Sequence, residues 1–294
     1  MGCCQGREEE MRKIKIIKPD DEPSDEEKPT TKDEPLKTTD STTSGLATEP
    51  LNYGKKHLLN YLDFCKTQKN YEQLVGLIND NTEIKNPKAY ISWAEKPRSI
   101  GSLALVYLCQ LCQKDQENVA KAIEPSLHML MEYMKNGSED LRDNSLMLMY
   151  YALDFTSEES VAKLVEQGVF SILMRSIMCS KEELRHLTAS VCYKIYKNRP
   201  YAQRLFIDMK GGRQLVQQIS WSSENDSVLR SLLDYLAELL QDKDDKVMQE
   251  YIVKLNEERA IDIIRDISNA DKSADTLVAM DYLIDLLTSD DNKD

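Results

Sequence analysis

The chain has 294 residues, of which 41% are hydrophobic, 30% are charged and 7% are aromatic, and its formal net charge is −13. Net acidity argues against nucleic acid as a partner, because phosphate binding needs a concentrated basic surface. Three His residues are too few to favour histidine-based catalysis or metal binding, and the longest apolar run, Leu146–Leu153, is too short to span a membrane.

The first residues, MGCCQGREEEMRK, indicate an acylation site rather than the apolar core of a secretory signal. With Met1 removed, Gly2 is the acceptor for N-myristoylation, and Cys3 and Cys4 are then placed for S-palmitoylation. One myristoyl chain gives marginal attachment, whereas a second acyl chain makes it stable. Gly6 departs from the myristoylation motif, which usually has Ser or Thr at the sixth position. We expect a lipid-anchored protein on the cytosolic face of an organelle or plasma membrane, with reduced thiols.

Residues 19–50 contain ten acidic side chains and three Lys, and almost no side chain that can enter a core. Such a segment cannot bury enough apolar surface to offset its chain entropy. The sequence therefore predicts an acylated, disordered, acidic tail over residues 1–50 and a folded domain over residues 51–294.

The folded domain has helical periodicity throughout and contains internal repeats. The segment Asn118–Glu124 returns 42 residues later as Ser160–Glu166, and the segment from Leu232 returns near Met280. Periods of about 40–47 residues are typical of armadillo and HEAT solenoids. We predict an all-α, right-handed superhelical solenoid of about five repeats, with short first helices and with Gly168 and Gly211-Gly212 at the turns that follow them. The repeat boundaries are 51–115, 116–155, 156–197, 198–241 and 242–288.

On these repeats the chain resembles the armadillo family. In peptide-binding members, a Trp and an Asn four residues apart on each third helix line a concave groove and hold an extended peptide. The resemblance places the Trp row at Val106, Met147, Ser190, Asp234 and Asp281, and the Asn row at Gln110, Tyr151, Lys194, Glu238 and Asp285. None of these is Trp or Asn, so basic-peptide transport is not expected. An acylated leader before the repeats is similar to N-acylated armadillo adaptors, such as those of the yeast vacuole and apicomplexan rhoptries.

The candidate groove has an acidic C-terminal end. Asp234 and Glu238 are four residues apart, as are Asp281 and Asp285, so each pair shares one helix face. Such a patch would attract a basic segment of a protein partner, although exposed acids are also expected anywhere on so acidic a protein. We predict a partner-binding groove lined by Gln110, Met147, Tyr151, Ser190, Lys194, Arg230, Asp234, Glu238, Asp281 and Asp285.

Catalytic and metal chemistry is not favoured. Cys109-x-x-Cys112 lies in an apolar helical segment without a second ligand pair, which indicates core thiols rather than a zinc site. Cys192 falls at a core position, six residues from His186 and off its face, so neither it nor Cys179 predicts a nucleophile. The sequence thus predicts a non-enzymatic membrane scaffold without cofactor or metal. The alternative is a soluble armadillo receptor for basic peptides.

Overall fold

The computed structural model describes residues 64–80, 90–93, 96–179, 181–241, 246–267 and 271–288. These residues belong to one unit that starts at Phe64. The predicted acylation site, the predicted disordered tail and the domain boundary at residue 51 all lie outside the described residues.

The described residues contain thirteen α-helices from Tyr71 onward, a short helical stretch at residues 64–67 and one β-hairpin. The helices are α1 Tyr71–Asp80, α2 Ile100–Ile123, α3 Leu127–Asn136, α4 Glu139–Ala152, α5 Glu158–Glu166, α6 Val169–Ser176, α7 Glu182–Tyr196, α8 Pro200–Asp208, α9 Gly211–Trp221, α10 Asp226–Leu239, α11 Lys246–Glu257, α12 Ala260–Arg265 and α13 Ala274–Thr288. Strands β1 Tyr90–Trp93 and β2 Lys96–Ser99 pair antiparallel. A short 3₁₀ turn, Glu124–Ser126, links α2 to α3.

The helices group in threes along the chain, as the sequence predicts. Helix α2 is two helices joined at Asp115, whose φ of −151° and ψ of 54° are non-helical. Its second part begins a repeat that continues through α3 and α4, and the next three repeats are α5–α7, α8–α10 and α11–α13. In the first repeat the hairpin lies in the connection between α1 and α2, and the other described repeats have no strand there. The all-α repeat architecture is therefore confirmed, and the hairpin is an addition that the sequence pattern did not predict.

Side-chain caps fix where the later helices begin. The Ser138 hydroxyl accepts a hydrogen bond from the Leu141 N–H at 3.4 Å, and the Ser157 hydroxyl accepts one from the Ser160 N–H at 3.3 Å. These contacts satisfy N–H groups that have no partner within the first helical turn. The Asn136-Gly137 pair ends α3 as expected, but Gly137 is extended, with φ of −77°, rather than left-handed.

The junction between the first and second helix of a repeat contains one left-handed residue. That residue is Gly168 in the third repeat, with φ of +81°, but Lys210 in the fourth, with φ of +62°. The prediction that Gly211-Gly212 forms the turn was therefore wrong by one position, because both residues begin α9. They are needed for space instead, since a Cβ at Gly211 would overlap the Phe206 ring.

The third helices of successive repeats pack in order: α2 against α4, α4 against α7, α7 against α10, and α10 against α13. Their central side chains form the core; Leu148, Val191 and Leu236 are fully buried. Among the described residues, no helix combines the length and the apolar character that a bilayer span requires.

Candidate partner-binding groove

The groove face is the face of the five third helices that carries the two predicted rows of positions. The structure places the residues of these rows at unequal depths. In the first row, Val106, Met147 and Ser190 are 3%, 7% and 2% exposed, whereas Asp234 is half-buried and Asp281 is exposed. Met147 and Ser190 therefore lie beneath the groove surface, and the prediction that they contact a partner directly does not fit their burial.

The second row lies nearer to solvent. Gln110, Tyr151, Lys194 and Glu238 are half-buried, and Asp285 is exposed. Their spacing of about one repeat places one such side chain on each third helix. Side chains at this depth can contact a bound chain without repacking of the core, so this row forms most of the surface of the groove.

At the N-terminal end, Gln110 is already engaged within the protein. The Lys66 Nζ donates a hydrogen bond to the Gln110 Oε1 at 2.7 Å and lies 4.6 Å from the centroid of the Tyr107 ring. The cation is thus shared between an amide oxygen and an aromatic face. This contact joins the helical residues 64–67 to the first third helix, and no pattern in the sequence indicates it.

In the middle of the groove, Lys194 links the second and third repeats. Its Nζ donates to the Tyr150 carbonyl at 2.9 Å and to the Asp154 Oδ2 at 2.6 Å, and it lies 3.6 Å from the Tyr150 ring centroid. Burial lowers the pKa of Lys194, and the Asp154 carboxylate opposes that shift. A cation held by three contacts is positioned rather than free to move, so the centre of the groove has a fixed surface.

Next to Lys194 is an aromatic cluster that sequence reasoning missed. The Tyr235 hydroxyl and the Ser190 hydroxyl are 2.9 Å apart, and the Tyr193 ring stacks on the Tyr235 ring with centroids 4.4 Å apart. The Tyr196 hydroxyl donates to the Tyr235 carbonyl at 2.6 Å. The cluster binds α7 to α10 and explains why Ser190 is buried. Its only sequence signal is the presence of Tyr on adjacent third helices.

The C-terminal end of the groove is acidic and more exposed. The Arg230 Nε lies 3.2 Å from the Asp234 Oδ1, so one of the four predicted carboxylates has an internal cation. Arg230 also donates to the Asp275 carbonyl, across the seam between α10 and α13. Asp281 and Asp285 are exposed on α13. The acidic character that the sequence predicts therefore survives here, reduced by one ion pair.

Of the residues considered for catalysis or metal binding, Cys109, Cys112 and Cys192 are buried in the core, His186 lies near the aromatic cluster, and Cys179 is half-exposed. Burial raises the pKa of the Cys109 thiol, raises that of Cys112 to about 12, and raises that of the fully buried Cys192 thiol. These thiols are therefore poor nucleophiles and poor metal ligands at neutral pH. The His186 ring stacks near Tyr235, with centroids 6.5 Å apart. Among the described residues no group of His, Cys, Asp and Glu side chains has the arrangement of a metal site.

Three-helix repeats with third helices side by side define an armadillo-repeat fold. No protein-family model matches the sequence, and no curated protein matches it. Solved structures do: the armadillo repeats only protein from Plasmodium falciparum is similar, with a TM-score of 0.63 and 15% identity over 81% of this chain and 100% of that chain. A designed armadillo repeat protein in complex with the peptide (KR)4 has a TM-score of 0.55 and 14% identity, covering 78% of this chain and 86% of that one.

A further solved structure, of computationally designed armadillo repeat proteins for modular peptide recognition, has a TM-score of 0.54 and 14% identity over 78% of this chain and 97% of that one. At these identities the likeness shows the fold alone. The armadillo-like architecture expected from the sequence is thus confirmed.

Proposed function

We propose that this protein is a non-enzymatic scaffold that binds a protein partner along the groove face and holds it at the cytosolic surface of a membrane. The observation that carries the proposal is the groove face itself. It combines a fixed centre at Lys194 with exposed carboxylates at Asp281 and Asp285. A preorganised surface of this kind loses little conformational entropy on binding.

The membrane part of the proposal is supported by the sequence of the leader. Acyl chains on Gly2, Cys3 and Cys4 would together give stable residence, because each buried CH₂ contributes about 0.8 kcal/mol and one myristoyl chain alone is marginal. Residues 19–50 would then separate the repeats from the bilayer. A flexible segment of about 30 residues has a root-mean-square span on the order of 30 Å.

The anchor is tested by metabolic labelling with a myristate analogue and by membrane fractionation. We expect Gly2→Ala to remove the label and to release the protein from membranes, and Cys3→Ser with Cys4→Ser to keep the label but weaken membrane retention. Gly6→Ala is the matched control and should behave as wild type. Equal labelling of the Gly2→Ala variant, or its retention on membranes, would reject the anchor.

The groove is tested by affinity capture with the full chain. Charge reversal at four groove acids, Asp234, Glu238, Asp281 and Asp285 to Lys, should abolish capture of a specific partner. The control reverses the same number of exposed acids elsewhere, at Glu166, Asp208, Glu250 and Glu257. If both variants lose the partner equally, the effect comes from net charge. If neither loses it, the groove is not the binding surface.

The second candidate, a soluble receptor for basic peptides, is favoured by one observation: a structural neighbour was solved with the peptide (KR)4. The Trp and Asn rows that would hold such a peptide are absent from this chain. This candidate predicts an unacylated protein that remains soluble after cell fractionation and binds (KR)4 with micromolar affinity or better.

A further inference from the structure

Two apolar residues on α13 are exposed at positions that every earlier repeat buries. Val278 is 65% exposed and Tyr282 is 49% exposed. The equivalent residues in the first four repeats are all at most 8% exposed. The residues equivalent to Val278 are Leu103, Asn144, Leu187 and Ser231, and those equivalent to Tyr282 are Tyr107, Leu148, Val191 and Tyr235. The fifth repeat thus differs from the others at one place on its third helix.

This exposure has two structural correlates: α13 is the last third helix among the described residues, and the side chain that faces it from α10 is small. In the fourth repeat, Tyr235 is covered by the Tyr193 ring of the preceding third helix, whose centroid lies 4.4 Å away. The residue equivalent to Tyr193 in the fourth repeat is Ala237, one methyl group in place of a phenol ring. Tyr282 therefore has no aromatic cover from α10, although α10 and α13 pack along one another.

The exposed pair is surrounded by negative charge. Val278 and Tyr282 are four residues apart, and Asp281 and Asp285 are each three residues beyond one of them, so all four share a helix surface. Asp234 and Glu238 lie half-buried on the neighbouring helix, and Asp234 forms an ion pair with Arg230. A second copy of this chain would bring like charges together here, which disfavours self-association.

We propose that this surface binds a segment of a partner protein that carries both Lys or Arg and large apolar side chains. We call the surface the acidic seat; it consists of Val278, Tyr282, Asp234, Glu238, Asp281 and Asp285. The inference rests on the proposed role of the groove face and specifies its partner. Cations pair with the carboxylates, and an apolar side chain covers Tyr282 as Tyr193 covers Tyr235. A purely basic segment would leave the apolar pair in water.

The test compares two octapeptides of equal charge, Lys-Leu-Leu-Lys-Lys-Leu-Leu-Lys and Lys-Ser-Ser-Lys-Lys-Ser-Ser-Lys, by fluorescence anisotropy with the full chain. We expect the leucine peptide to bind on the order of tenfold more tightly, because part of an apolar side chain leaves water. Val278→Ser with Tyr282→Ser should remove that preference and leave the serine peptide unchanged. Ala237→Tyr should also reduce the preference for the leucine peptide, because the new ring would cover Tyr282 while Val278 and Tyr282 remain in place.

Charge and specificity have their own controls. Asp281→Asn with Asp285→Asn should weaken both peptides, whereas Glu250→Gln with Glu257→Gln, exposed acids on α11, should weaken neither. Equal affinity of the two peptides for wild type, or a leucine preference that survives in the Val278 and Tyr282 variant, would overturn the inference. Thermal unfolding of each variant separates loss of binding from loss of fold.

The other occupants give distinct results that would also overturn it. Concentration-dependent dimerisation that the Tyr282→Ser change abolishes would assign the seat to a second copy. The chain's own basic residues Arg12, Lys13, Lys15 and Lys18 could also occupy the acidic seat. In that case, reversing their charge would free the seat, and the leucine peptide would bind more tightly. If the peptide preference fails but charge reversal of the four groove acids still abolishes partner capture, the inference falls and the proposed function stands.

Discussion

The left-handed residue at the helix junction allows a stability prediction with an internal control. Gly168 has φ of +81°, and a Cβ built on it meets no heavy atom within 4 Å. The effect of Gly168→Ala is therefore purely conformational. A non-glycine residue costs about 1–2 kcal/mol in the left-handed region, and Ala offsets about 0.4–1 kcal/mol of that by restricting the unfolded chain. We expect a loss of about 1 kcal/mol in the free energy of unfolding.

The matched control is Gly76→Ala in α1. A Cβ at Gly76 would also meet no heavy atom within 4 Å, but this glycine lies inside a helix with ordinary dihedral angles. There the same substitution should stabilise the protein by about 1 kcal/mol, because Ala is the better helix former. The two variants differ only in backbone conformation at the substituted residue, so they should shift stability in opposite directions.

The measurement is urea unfolding of the full chain followed by far-ultraviolet circular dichroism. Lys210→Gly provides the reverse change, because Lys210 holds φ of +62° without being glycine; it should stabilise the fold by less than about 1 kcal/mol. A Gly168→Ala variant as stable as wild type, or stabilised like Gly76→Ala, would refute the assignment of strain to this junction.

Three further outcomes follow from individual contacts. Tyr196→Phe removes the donor to the buried Tyr235 carbonyl, 2.6 Å away, and should cost about 1–3 kcal/mol in urea unfolding; no change would mean that water replaces the hydroxyl. The hydrogen bond from Ser157 lowers the pKa of Glu124 in the folded protein. The stabilisation that this carboxylate gives is therefore complete above its unfolded-state pKa and is lost as the pH falls through its folded-state pKa. Glu124→Gln should flatten the acid side of a curve of stability against pH, and an unchanged acid side would contradict the assignment. Among the described cysteines, thiol labelling of the native protein should reach the half-exposed Cys179 before the buried thiols, and equal rates would count against the burial assigned to them.

The repeat pattern could be predicted because it is local. Helix periodicity and the recurrence of Asn118–Glu124 can be read from the sequence, and they place α5 and its equivalents close to the observed bounds. The pairing of Tyr90–Trp93 with Lys96–Ser99 was not predicted, because these short strands show no clear alternation of apolar and polar residues.

Helical spacing predicted which residues of each third helix share one face, but not how deeply each of them is buried. Spacing of four residues puts Met147 and Tyr151 on one face, yet only packing against the next third helix decides that Met147 is buried and Tyr151 is half-buried. The same holds for Tyr235 and Tyr282, which occupy equivalent positions. Tyr235 stacks on the Tyr193 ring and is 5% exposed, whereas Tyr282, on the last described third helix, is 49% exposed.

By itself, the sequence determined the class of secondary structure and the acidity of the last two third helices, because both depend on residues within one or two helical turns. It also determined the order of the repeats, because their segments recur at intervals of about 42–47 residues. Only the tertiary structure decided which residues of the groove face reach solvent. That property depends on the side chain presented by a helix about 40–47 residues away, as in the 42 residues that separate Tyr235 from the Tyr193 ring that packs on it, and helical phase within one repeat carries no information about it.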